Sequence, residues 1–353
     1  YTTDMYTASV ALPAVYGTGS PKGNNAEMKT DGWELSLSWR DSFKLGGKPF
    51  DYSIKAMVWD SKSVITKYVN DTGSLGTVKG FIENGGSPSS YYVGMTVGEI
   101  WGYTVAGLFR DQADIDSSAI HDFVQASDKV TRPGQVKIAD LDGNGFIDPG
   151  NFAVDDHGDL RIIGNQSPRY RYGVNLAANW NGIGLSVFLQ GVGARDWYPG
   201  SDAGMFWGKY GRPFFALIPS IHNYTDDMYS AERNNWDTAY WPRMTTYQSN
   251  GTKNWTRLLE IPNTRYIQSA AYLRVKNIQL DYSFPKHICS AIRLQGLKIY
   301  VNAENLFTFT PLHKYAPNFD PEGLSYDSDF ASAADGYTYP ILKSVTVGVN
   351  ITF

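Results

Sequence analysis

The chain has 353 residues, a formal net charge of −4 and a hydrophobic fraction of 42%, with 24 Tyr, 10 Trp, 35 Gly and 17 Pro. An acidic balance without a basic stripe excludes a nucleic-acid surface, because nothing would displace counterions from phosphates. The single cysteine, Cys289, excludes an internal disulfide framework, and no run reaches the ~18 apolar residues of a membrane-spanning helix. A mean hydropathy of −0.33 looks soluble, but strands that alternate apolar and polar residues hide a membrane location from any average.

Residues 1–31 carry scattered Gly, Pro and Asn and read as a loop with at most a short ordered piece. The opening residues show neither the basic region nor the apolar stretch of a signal peptide, as expected once a signal has been removed or in a fragment. Alternation begins with Trp33, Leu35, Leu37 and Trp39, turns near Gly46-Gly47, and returns through Phe50, Tyr52, Ile54, Ala56 and Val58. Strands are therefore expected near 32–41 and 49–60. Region 61–169, rich in Gly, Asp and Ser, lacks sustained alternation and is too long for a simple connector. Alternation resumes in a hairpin, with strands near 170–181 and 183–193 around Asn181-Gly182, the strongest short-range hairpin signal. A second large loop, near 194–269, holds Trp197, Trp207, Trp236, Trp241 and Trp255.

The strand near 271–284 places Leu273 and Val275 on one phase, and Ile278, Leu280, Tyr282 and Phe284 on the other. The slip at Lys276-Asn277 fits either a β-bulge or a strand top beyond the bilayer, where facing no longer matters. A strand near 294–307, a loop near 308–340 and a strand near 341–353 follow. In the last of these, Val345, Val347, Val349, Ile351 and Phe353 share one face.

About seven strands joined alternately by short turns and long loops predict an all-β fold, an antiparallel transmembrane β-barrel segment with its long loops on one side. Aromatics such as Trp33, Trp39, Phe50, Trp180, Tyr282 and Phe284 lie near the ends of the apolar stripes, as interfacial girdles do. A soluble sandwich rarely combines apolar stripes on every strand with loops of such unequal length at its two ends.

Several blocks carry a family resemblance: Gly98-Glu99-Ile100-Trp101-Gly102-Tyr103, Gly107-Leu108-Phe109, Pro133-Gly134, Asp140 to Asp148, Ile163-Gly164-Asn165, Tyr172 to Leu176, Leu185 to Gly191, Trp241-Pro242-Arg243, Tyr272 to Asn277, Val301 to Phe307 and Phe353. In order and spacing the chain resembles the carboxy-terminal portion of SusC/RagA family TonB-dependent outer-membrane transporters. The resemblance implies part of a 22-strand barrel around a plug, in the bacterial outer membrane. It also implies partners: the remainder of the transporter, with the plug and earlier barrel strands, a SusD-like surface lipoprotein, the TonB-ExbB-ExbD energy system and the lipid bilayer. The implied substrates are oligosaccharides or peptides, and the plug domain has no counterpart in this chain.

One spacing points to chemistry. Asp140, Asp142, Asn144 and Asp148, with the Phe146 carbonyl, occupy positions one, three, five, nine and seven of an EF-hand-like loop, and Gly145 stands at the sharp turn. Such oxygen donors suit Ca2+. Position twelve is Asn151 instead of a bidentate Glu, so a further ligand would have to come from Asp155, Asp156 or Asp159. A solvated Asp/Asn/Gly turn is the plain alternative. The five loop tryptophans could stack on a ligand, although packing of the loops accounts for most of them. Asp155-Asp156-His157 and Asp226-Asp227 read as loop-ordering groups, and no catalytic motif is present, so no enzymatic role is expected. The competing reading is a soluble, calcium-binding, carbohydrate-active β protein, either a binding module or a glycoside hydrolase.

Overall fold

The computed structural model describes residues 2–8, 22–68, 73–75, 91–121, 131–199, 206, 227–243, 261–324 and 341–353. Eight strands form one antiparallel sheet in strict chain order: β1 (Thr2–Ala8), β2 (Lys22–Leu45), β3 (Lys48–Lys67), β4 (Arg169–Trp180), β5 (Ile183–Ala194), β6 (Tyr272–Ser283), β7 (Gly296–Phe309) and β8 (Ser344–Thr352). Each strand pairs with its sequence neighbour, which makes the wall a meander.

Local chemistry sets the tight turns. Gly46 and Gly47 take φ of 61° and 76°, and Asn181 and Gly182 take 47° and 88°. Two successive residues at positive φ are what a two-residue turn needs to match the twist of its strands, and Gly and Asn reach that region cheaply. Leu45 then pairs with Lys48, and Trp180 with Ile183.

Register keeps the apolar residues together across the whole wall. One row runs Leu37, Ala56, Val174, Leu189, Val275, Phe307, and the next runs Trp39, Ile54, Leu176, Val187, Ile278, Ala303, Val345. This face is turned outward: Leu37 is 62% exposed, Trp39 61% and Val345 67%. The opposite face carries Ser36, Ser38, Arg40, Lys55, Asn175, Gln190, Gln279, Asn302 and Thr346. At the turn end, Phe43 lies 4.9 Å from Phe50 and Tyr282 lies 5.0 Å from Phe284, while the Trp180 indole donates to the Leu45 carbonyl at 3.0 Å. Rings with an apolar body and a polar handle suit the boundary between hydrocarbon and water.

The slip in β6 is a β-bulge. Phe188 pairs with Asn277 and Leu189 with Val275, so Lys276 has no partner on β5. Across from it, Asn305 and Leu306 of β7 fall between paired residues, and Asn305 takes a φ of 51°. Without the bulge Lys276 would fall in the apolar row beside Leu189. With it Val275 takes that place, and the Lys276 ammonium reaches Glu322 at 2.7 Å.

The wall holds one strand more than alternation marks. Residues 1–31 are not simply a loop: β1 pairs with β2 at Thr2↔Met28 and Ala8↔Lys22, and β2 begins at Lys22. β3 likewise continues to Lys67, paired with Glu27, inside the region expected as loop. These extensions run past the apolar rows, and their residues do not alternate apolar with polar, so they lack the period-two signal. Among the described residues the wall therefore has eight strands where about seven were expected.

Replacing Leu280 by Arg on the apolar face is expected to lower the unfolding free energy in bilayers by about 2–4 kcal/mol. Gln279→Arg, one residue away on the polar face, is expected to stay within about 0.5 kcal/mol. Denaturant titration of the two variants checks the assignment of faces.

Candidate functional site

The buried core lies in the long loops at the open end of the wall. Tyr103, Leu108, Ile138 and Leu160 from the first loop meet Trp197, Trp241, Ile261 and Tyr266 from the second, and Leu312, Phe319 and Leu324 from the third. Short strands hold the first loop: Glu99–Tyr103 pairs with Leu160–Asn165, and Val105–Leu108 with Val136–Ile138. The second loop joins through its backbone, since Tyr103 N–H donates to the Pro262 carbonyl at 2.9 Å and Thr264 N–H to the Tyr103 carbonyl at 3.0 Å. A β-carbon on Gly102 would lie 2.1 Å from the Pro262 oxygen, so this approach requires glycine. Asn263, buried beside it, donates to the Tyr198 hydroxyl at 2.7 Å and accepts from Arg265 and Tyr266 N–H.

The tryptophans occupy different places. Trp197 packs 4.9 Å from Phe319 and 6.2 Å from Phe206, and Trp241 stacks 5.7 Å from Tyr266 with Phe206 at 5.1 Å. Both are buried, and rings enclosed on their faces present none to a ligand. Trp236 is partly buried against the same cluster. Trp207 and Trp255 lie outside the described residues, as does Asp226. Burial pushes the Tyr240 and Tyr266 hydroxyls far above the usual phenol range.

A buried ionic clamp, not anticipated from the sequence, ties the third loop to the wall. Arg274 of β6 donates to Thr308 at 2.9 Å and to Asp320 at 2.6 Å, and lies 3.3 Å from Glu322. Lys276 adds its 2.7 Å contact to Glu322, while Arg195 of the second loop donates to the Pro321 carbonyl at 2.9 Å and to the Leu324 carbonyl. The sequence marks Arg274 and Lys276 only as charged members of a strand that also carries Asn277, Gln279 and Asp281, and nothing in that pattern names their partners.

The acidic turn is ordered by its own oxygens. Asp140 accepts from Gly143 and Gly145 N–H at 2.6 and 2.9 Å, Asp142 from Asn144 N–H at 3.0 Å, and the Asn144 side-chain oxygen from Phe146 N–H at 2.7 Å. The Asn144 amide bridges Asp142 and Asp148 at 3.2 and 3.0 Å. Of the three acids that could stand in for position twelve, Asp159 is the one brought in: carboxylate oxygens of Asp140, Asp142 and Asp159 lie within 4.8 Å of one another. Asp159 is buried, accepting from Leu141 N–H at 2.6 Å and Asp148 N–H at 3.0 Å, and burial raises its pKa. The Gly145 N–H, chief among several backbone donors, holds the Asp140 carboxyl below its usual range. Asp156 instead accepts from the Asn151 amide, and His157 lies 2.9 Å from an Arg161 nitrogen with its ring beside Trp101. These groups order the loop.

A one-sided apolar meander with a packed loop unit at one end defines a segment of a membrane β-barrel wall. No protein-family model matches the sequence. Three curated proteins of Formosa agariphila are similar over essentially the whole chain: TonB-dependent receptor P3 (24% identical, 97% of this chain), P26 (22%, 98%) and P39 (23%, 100%). The chain spans only 30%, 31% and 33% of their lengths, respectively. Solved structures of the RagAB peptide transporter, and of that importer in its "closed-closed" state, superpose with a TM-score of 0.58 at 17% and 18% identity. Each alignment covers 99% of this chain and 32% of the other. The fold is shared with these transporter structures, over about a third of their length.

Arg274→Ala leaves the partly buried Asp320 without its counter-charge, while Glu322 keeps Lys276, and is expected to cost about 3–5 kcal/mol. Limited proteolysis should then cut the 311–324 segment faster than in the parent, while the wall strands stay as resistant as before.

Proposed function

We propose that this chain forms part of the wall and the outer loops of a SusC-like TonB-dependent importer in the bacterial outer membrane. The observation that carries the reading is the exposed apolar face, coherent in register from Trp39 to Val345 and backed by a polar face. A soluble β protein would leave that surface in water, against the physics that keeps large contiguous apolar patches off monomers. The soluble carbohydrate-active alternative is therefore not favoured. Further support comes from the fold shared with RagAB and from the TonB-dependent receptors that match along the chain.

On this reading the turn end faces the periplasm and the loop unit faces outward. The polar face lines the route of a glycan or peptide. The rest of the transporter supplies the plug and the remaining strands, TonB-ExbB-ExbD supplies energy through that plug, and a SusD-like lipoprotein covers the loops. The native protein is expected to require detergent for monodispersity and to migrate faster in gels before heating than after. A protein monodisperse in plain buffer that hydrolyses a glycan would overturn the reading.

The acidic turn is proposed to hold Ca2+, with Asp140, Asp142 and Asp159 as carboxylate donors and Asn144, Phe146 and Asp148 completing the loop. Hard oxygen donors on a tight loop match calcium, and the ion would offset three carboxylates crowded together. Its role is to rigidify the first loop. Calorimetric titration with calcium should give binding heat for the parent and none for Asp142→Ala or Asp159→Asn. Equal heats in all three would remove the site.

A further inference from the structure

Two described connections at the turn end close with two residues each, but β6 and β7 are joined by residues 284–295, which contain the short helix Lys286–Ala291. Only Cys289 of that helix is buried, its thiol directed at the Phe284 carbonyl. Ile288 and Ile292 are 40% and 54% exposed. Ile292 and Leu294 N–H both donate to the Cys289 carbonyl, and Arg293 takes a φ of 57° where helices commonly place glycine. The segment thus carries a cation at a position whose backbone favours a residue without a side chain.

Charge and position give this segment a direction. Between Asp281 and Glu304 the sequence has no acidic residue, while Lys286, Arg293 and Lys298 are basic. Lys298 pairs with Asp281 at 2.9 Å, but among the described residues no carboxylate pairs with Lys286 or Arg293. The helix continues from the edge of the apolar face: Phe284 packs on Tyr282, its N–H bonds the Leu297 carbonyl at 2.9 Å, and Leu297 registers with Ile351. Exposed isoleucines next to unpaired cations, contiguous with a lipid-facing surface, have the chemistry of an interfacial segment.

We propose that residues 285–293 form a foot that seats in the headgroup layer at the turn end of the wall. Ile288 and Ile292 enter the acyl boundary, and Lys286 and Arg293 take the phosphates of anionic phospholipid. The proposal rests on the membrane reading above.

The test uses the native protein in nanodiscs, with an environment-sensitive fluorophore on Ile288→Cys and, separately, on Val347→Cys in the apolar face. Native Cys289 is buried, and gel migration before heating certifies that each variant is folded. Expected is quenching of both labels by doxyl-labelled lipid and protection of both from iodide. Adding phosphatidylglycerol to phosphatidylcholine discs should raise lipid quenching at Ile288→Cys. Each of Lys286→Glu and Arg293→Glu should reduce that gain about fivefold.

A label at Ile288→Cys open to iodide while Val347→Cys is protected overturns the foot alone. One shielded from both quenchers overturns it in favour of a protein partner, and a response indifferent to phosphatidylglycerol overturns the phosphate contacts. If Val347→Cys is also open to iodide, the membrane reading itself fails.

Discussion

Interstrand register is the constraint on which the rest of this protein depends. Every backbone N–H and C=O in a lipid-embedded strand must find its partner on the adjacent strand, since the hydrocarbon offers none. A shift of one residue would keep those bonds and still send a whole set of side chains to the wrong face. The wall meets both demands. Two-residue turns at Gly46-Gly47 and Asn181-Gly182 pin the β2–β3 and β4–β5 hairpins, and the bulge at Lys276 corrects the phase slip within β6. Lys276 also shows what the correction accomplishes, because the same extra residue that restores Val275 to the apolar row turns a cation toward Glu322.

The molecule is organised in two physically different ways along one axis. In the wall, apolar side chains point outward and polar ones inward, so burial there follows from the surrounding medium. In the loop unit the ordinary soluble arrangement returns, with Trp241, Tyr266 and Phe319 inside. The two regimes meet at the tops of β6 and β7, where Arg274 and Lys276 form ion pairs with Asp320 and Glu322. A buried pair of this kind adds little net stability over an apolar substitute, yet losing one member is costly. Its effect is to fix where the third loop sits on the wall.

The acidic turn follows the same logic on a smaller scale. Its first residues are ordered by side-chain oxygens accepting neighbouring N–H groups, which any Asp/Asn/Gly turn can do. What sets it apart is Asp159, a buried carboxylate delivered from beyond the turn and aimed at the same space as Asp140 and Asp142. The strand Leu160–Asn165 that follows Asp159, paired with Glu99–Tyr103, anchors that carboxylate.

The sequence by itself determined the period-two strands, the two tight turns and the face on which each alternating residue lies, because a strand sends successive side chains to opposite faces. Trp39, Ile54, Leu176, Val187 and Val345 could be assigned to one face before any of their neighbours were known. It also marked the acidic turn, whose first nine positions are contiguous. β1 and the upper part of β2 were not legible, since their residues do not alternate apolar with polar. Asp159 could be named only as one of three candidates, and the partnership of Arg274 and Lys276 with Asp320 and Glu322 could not be named at all. Those contacts join residues far apart in the chain, and only the tertiary structure, through the pairing of β6 with β7 and the folding of the third loop over them, decided which charges would meet.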